Sequence, residues 1–167
     1  MTSRLNPLFP LVFLLALSIV GCSRHQDEPT PVLAASTGSY KLDGKLVTCP
    51  QITVFEYPNR SGLGADELQV QLIVPATAQI PGDNMLLSFV KTTGSPVSDY
   101  DFRGATHIIF PSGNTSLQTR SYNANHQFTL SATANGAYSG TFSCRSPGLS
   151  PVDDSQITEG VFANAHP

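Results

Sequence analysis

A chain of 167 residues, 40% hydrophobic and 13% charged, has material for one modest globular domain but not for two. Nine Lys plus Arg against twelve Asp plus Glu leave a net charge of -3, without the basic surface that phosphate backbones require. Nucleic acid is therefore excluded as an expected partner, and abundant uncharged Ser, Thr, Asn and Gln supply the polarity that sparse charge does not.

Arg4 precedes an apolar run from Leu8 to Val20. The run is shorter than the roughly 20 residues of a membrane-spanning helix, and its flanks are those of a secretory signal. It ends in Ile19, Val20, Gly21 and Cys22, which resemble the lipobox of bacterial lipoproteins. The resemblance implies cleavage before Cys22 and lipid attachment to its thiol, so residues 1–21 are expected to form a signal peptide. Each buried methylene contributes about 0.8 kcal/mol, so several acyl chains hold a protein on a bilayer without a helix. Ser23 stands where an aspartate would suggest inner-membrane retention, so an outer-membrane location in the bacterial cell envelope is expected. Asp27 and Glu28 are similar to the acidic export signal of surface lipoproteins in Bacteroidota. Both periplasmic and surface-facing orientations stay open.

Residues 22–36 carry neither helical nor strand periodicity and include Pro29 and Pro31, the pattern of a flexible tether. His25 reads as a solvated side chain of that tether. Residues 37–167 then form the expected β domain. The dipeptides Asp43-Gly44 and Asn135-Gly136 each separate two strand-like runs, and both favour the positive φ angles of a type I′ hairpin turn. In Glu67 to Val74, the residues Leu68, Val70, Leu72 and Val74 share one face, the alternation of a half-buried strand. A helical turn at the start of Asp66 to Val74 is the local alternative. Pro81 to Asn84 supply turn residues before a partner strand at Met85 to Val90.

Further strands are expected at Ile52 to Tyr57, Thr106 to Phe110, Leu117 to Tyr122 and Gln156 to Phe162, the last attached to the core by Ile157, Val161 and Phe162. In the final hairpin, Tyr138, Gly140, Phe142 and Cys144 share one face, opposite Phe128, Leu130, Ala132 and Ala134. The whole reads as an all-β fold, an antiparallel sandwich or barrel of about 8 to 10 short strands. The segments Tyr138 to Cys144 and Ile157 to Phe162 resemble the ending of small lipoproteins from Bacteroidota, a family with no established activity. That resemblance implies a compact β domain on a lipid anchor.

With Cys22 assigned to lipid, Cys49 and Cys144 are left as an even pair in an oxidising compartment, and a disulfide is expected. Closing so long a loop contributes on the order of 4 to 5 kcal/mol in the chain-entropy model. Hydrolase, phosphate-loop and zinc signatures are absent. His107 and His126 with Asp99 or Asp101 are the residues from which a catalytic or metal group can be drawn, and Asp99-Tyr100-Asp101 lacks the full ligand set of a calcium loop. No cofactor, metal or catalytic residue is implied. Tyr100, flanked by Asp99, Asp101 and Arg103, is the expected exposed aromatic contact. The expected role is noncatalytic binding or assembly with an envelope protein or glycan, the alternatives being an envelope hydrolase and a small-molecule carrier.

Overall fold

The computed structural model describes residues 35–62, 64–77, 82–110, 117–148 and 153–167. The expected signal peptide, Cys22 and the tether up to residue 34 lie outside the described residues. Ser36, the last residue assigned to the tether, is already fixed: its hydroxyl donates to the Asn164 carbonyl at 2.6 Å.

Ten strands follow in order: β1 (Thr37–Leu42), β2 (Lys45–Cys49), β3 (Gln51–Tyr57), β4 (Ala65–Val74), β5 (Gly82–Thr92), β6 (Asp101–Phe110), β7 (Gln118–Tyr122), β8 (Ala124–Ala132), β9 (Tyr138–Ser146) and β10 (Ser155–Ala165). They form two five-stranded antiparallel sheets, ordered β2-β1-β10-β9-β8 and β3-β4-β5-β6-β7, that pack face to face as an all-β sandwich. Strands that are consecutive in the chain are neighbours in a sheet, except at β2–β3 and β7–β8. At those two places Pro50 and Asn123 alone separate the strands, and the chain turns a corner into the other sheet. The pairing of β10 with β1 returns the end of the domain to its beginning.

The interior is built from the predicted alternation. Leu68, Val70 and Leu72 of β4 and Met85, Leu87 and Phe89 of β5 are fully buried. Phe89, Phe102 and Phe128 join the two sheets, with ring centroids 5.2 to 5.8 Å apart. β4 is a strand from Ala65 onward, so the helical alternative at its start is not taken.

The two predicted hairpin turns differ. Asp43 and Gly44 have φ of 49° and 82°, both positive as type I′ demands. Between β8 and β9 only Gly136 is left-handed, with φ of 79°. There Gly136 N–H donates to Thr133 O, and Thr133 N–H donates to Ala137 O. This is the three-residue loop in which a left-handed glycine follows a type I turn, and it moves Ala134 into the turn. Of the turn expected at Pro81 to Asn84, Pro81 lies outside the described residues and the rest is strand. Gly82, Asp83 and Asn84 are part of β5, held by pairing to β4 and β6.

Bulges re-phase three strands, β6, β8 and β10. In β10, Ile157 faces Cys144 and Gly160 faces Phe142, so β10 carries one extra residue, and Glu159 there has φ of 50°. Ile157 and Phe162 are consequently both buried, whereas Val161 is 42% exposed rather than in the core as expected. In β6, Ser88 faces Gly104 and Phe89 faces Phe102, leaving Arg103 as the extra residue. Phe102 therefore points inward on one side of the bulge, and Ala105 and His107 on the other.

β9 and β10 pair Gly140 with Phe162 and Phe142 with Gly160. Each phenylalanine lies over the glycine opposite it. A Cβ at Gly160 would stand 2.6 Å from the Phe142 ring, and one at Gly140 would stand 2.9 Å from Phe162 Cζ.

Cys49 and Cys144 are buried and free, and the expected disulfide is not formed. Strand order is the reason. β2 and β9 are separated by β1 and β10, three inter-strand steps of about 4.8 Å each, whereas a bridge needs Cα atoms within about 7 Å. Burial pushes both thiols up to about 12, which suits small apolar core residues better than nucleophiles.

Two measurements check this packing. Gly160→Ala should lower the unfolding free energy by about 1–3 kcal/mol in urea titrations, while Val161→Thr on the exposed face should change it by less than about 0.5 kcal/mol. Peptide mapping after iodoacetamide should find Cys49 and Cys144 unmodified in the native protein and modified in urea. A linked Cys49–Cys144 peptide would contradict the strand order.

Candidate functional site

The core face of β3, β4 and β5, and of the segment leading into β6, continues one alternation beyond the apolar residues into polar or aromatic side chains. Val54 is followed by Glu56 in β3, Leu68 is preceded by Asp66 in β4, Phe89 is followed by Lys91 in β5, and Phe102 is preceded by Tyr100. These four, with Tyr138 at the start of β9 and Tyr57 at the end of β3, line a cleft of about 310 Å³ at one end of the sandwich.

Tyr100 was expected as an exposed contact. It is only 7% exposed and instead forms a wall of this cleft. A 3-10 turn at Val97–Asp99 directs it inward: Asp99 N–H donates to Pro96 O, and Tyr100 N–H donates to Val97 O. Asp99 stays outside on the turn. Asp101 and Arg103 lie on the exposed face, with N–O separation 3.9 Å and both side chains 62% exposed. The four predicted contact residues therefore separate into one cleft residue and three solvated charges.

Most charges at the cleft are neutralised locally. Lys91 Nζ lies 2.7 Å from Asp66 Oδ2 and 5.3 Å from the centroid of the Tyr100 ring. Asp66 also accepts from Thr93 Oγ1 at 2.7 Å and from Asn59 N–H at 2.9 Å, which ties down the β3–β4 loop. Glu67 pairs with Arg60, whose guanidinium covers the Tyr57 ring at 5.0 Å. Glu56 is different. It accepts a hydrogen bond from the Tyr138 hydroxyl and makes no ion pair among the described residues.

Burial raises the Tyr100 phenol to about 12, with the charges of Glu56 and Asp66 acting in the same direction. Tyr138 is raised by burial first, then by its hydrogen bond to Glu56. Both are neutral donors at physiological pH. Tyr100 lines the cleft, and its hydroxyl has no hydrogen-bond partner among the described residues.

The other end of the sandwich is also polar, and most of its groups bond to one another, although Asn84 Oδ1, next to Asp83, is buried without a partner. Asp83 Oδ1 accepts from the Tyr40 hydroxyl and contacts His107 Nε2, each at 2.8 Å. Asp43 accepts from Ser155 Oγ and Gln156 N–H, each at 2.8 Å, and Ser155 Oγ lies 2.9 Å from the Tyr122 hydroxyl. Burial raises the Tyr40 and Tyr122 phenols, and the charge of Asp83 adds to the effect at Tyr40. Ser155 donates to Asp43 rather than to His107, so the nucleophile-to-base hydrogen bond of a hydrolytic triad is not made.

His107 and His126 are not brought together. His107 is buried beside Asp83, while His126 packs edge-on against Phe102 at 5.5 Å. Neither is hydrogen-bonded to Asp99 or Asp101. Among the described residues no group of three or more His, Cys, Asp or Glu is placed to hold a metal ion.

Asp66 supplies a pH test. Its carboxyl lies below the usual range because Lys91 donates to it, with Asn59 N–H and the Thr93 hydroxyl adding to the effect. A depressed carboxylate contributes stability that is present above the unfolded value of about 3.9 and is lost as pH falls toward the folded value. Urea midpoints measured at about pH 7 and about pH 3 should therefore differ less in Asp66→Asn than in the native chain.

No family model, curated protein or solved structure matches this chain. The role of the cleft rests on its own chemistry.

Proposed function

We propose that this protein is a lipid-anchored, noncatalytic binding module of the bacterial cell envelope. In this reading Cys22 carries the lipid, residues preceding the β domain act as the tether, and the Tyr100–Tyr138 cleft captures an envelope protein or glycan. The anchor rests on the likeness of Ile19-Val20-Gly21-Cys22 to a lipobox, and the outer-membrane location rests on Ser23 standing where a retention aspartate would be. Among the described residues no helix is long and apolar enough to cross a membrane.

One observation carries the binding role. The cleft joins a carboxylate lacking a cation, Glu56, to aromatic walls and to an unpartnered hydroxyl at Tyr100. A few convergent polar groups in a concave aromatic site favour a ligand over a structural plug. The opposite end of the sandwich favours the plug, since the hydrogen bonds among Tyr40, Asp83 and His107, and among Tyr122, Ser155 and Asp43, are made internally. The fully buried Leu68, Leu72, Met85, Leu87, Phe89 and Phe162 favour a filled interior over a carrier's apolar cavity.

Metabolic labelling with radioactive palmitate tests the anchor. The native chain should take up label and sediment with membranes, whereas Cys22→Ser should lose both properties while keeping its β-sheet circular dichroism. Equal labelling of the two proteins would remove the lipid from the account.

A further inference from the structure

We infer that the cleft at the Tyr100 end is a receptor for one basic side chain, lysine or arginine, presented by an extended segment of a protein partner, with Glu56 as its counter-ion. The inference rests on the binding role proposed above and specifies its ligand.

Charge makes the first selection. Lys91 neutralises Asp66, and Arg60 neutralises Glu67 from the rim. The Glu56 carboxylate is the charge left over. A neutral ligand that displaced water from it would leave a desolvated, unpaired anion, and an anionic ligand would add repulsion. A guanidinium or ammonium replaces the lost hydration with a charge-assisted hydrogen bond.

Aromatic geometry makes the second selection. The Tyr138 hydroxyl donates to Glu56, which holds that ring beside the carboxylate, and no cation of this chain lies over it among the described residues. Tyrosine faces attract cations, as the positions of Lys91 over Tyr100 and Arg60 over Tyr57 already illustrate. The Tyr100 hydroxyl adds a free acceptor for a second N–H. A cleft of about 310 Å³ is at the small end of ligand sites and suits a side chain rather than a folded element.

The strand bearing Glu56 argues for a protein source. β3 is an edge strand of its sheet. Its neighbours in sequence, Phe55 and Tyr57, are 38% and 37% exposed, and their rings stack with centroids 6.4 Å apart. An edge strand with alternating aromatic and acidic side chains offers backbone hydrogen bonds, apolar contact and a counter-charge to one extended partner segment.

The test is a titration followed by amide and tyrosine-ring resonances of the isotope-labelled protein. The probes are a short capped peptide with a central arginine, the same peptide with citrulline, putrescine, and an N-acetylglucosamine oligomer. The arginine peptide should saturably shift Glu56, Tyr100 and Tyr138, with the citrulline peptide weaker by about tenfold or more. Glu56→Gln should reduce arginine-peptide binding by a similar factor, and Tyr138→Phe, which keeps the ring, should reduce it less. Equal binding of arginine and citrulline peptides, or no loss in Glu56→Gln, would overturn the counter-ion role. Putrescine binding as tightly as the arginine peptide would overturn the protein source. Binding of the glycan without the arginine peptide would keep the cleft as a binding site and overturn this ligand class. Shifts from none of the probes would overturn both this inference and the binding role of the cleft.

Discussion

The fold turns on the contact between β9 and β10, where Phe142 lies on Gly160 and Phe162 lies on Gly140. Two phenylalanines directly opposite one another would crowd the core face, and two glycines opposite one another would leave it empty. The reciprocal arrangement alternates large and small residues across the pair, so both rings bury fully while the backbones keep sheet spacing. A slip of either strand by one residue would turn its own ring to the solvent face, so this contact fixes the β9–β10 register. β10 also pairs with β1, so the same contact determines where the chain's return to its first strand takes place.

From that register the two ends of the sandwich take different characters. Period-two alternation carries the core face past its last apolar residue at both ends, and each end is finished with polar side chains. At one end the groups close on themselves through Asp83 and Asp43. At the other, Lys91 and Asp66 close on each other, but Glu56 and Tyr100 keep capacity for an outside group.

Much of this architecture is legible along the chain because alternation is a local signal. Leu68, Val70, Leu72, Phe142 and Cys144 face inward as their spacing requires. Where tertiary pairing overrides local chemistry, the sequence misleads. Gly82, Asp83 and Asn84 have turn propensity, yet two neighbouring strands hold them extended. Val161 breaks phase because the extra residue sits at Glu159, where no glycine marks the left-handed backbone. Compartment and count pair the two cysteines, and neither quantity contains strand order. The cleft was half visible. Tyr100 stood out as an aromatic among charges, but its two-residue spacing from Phe102 was the better guide to its direction. The same spacing marks Glu56, Asp66 and Lys91 as charges in phase with core faces, a signal that inspection of loops alone does not detect.

Native-state hydrogen exchange of the isolated β domain measures the organising contact most directly. If β9 and β10 set the register, the ladder amides that join them around Phe142 and Phe162 should exchange only through global unfolding, while β2 and β8 at the sheet edges should exchange through local opening at lower free energy. Amides of β9 and β10 exchanging as fast as those of the edge strands would contradict the account.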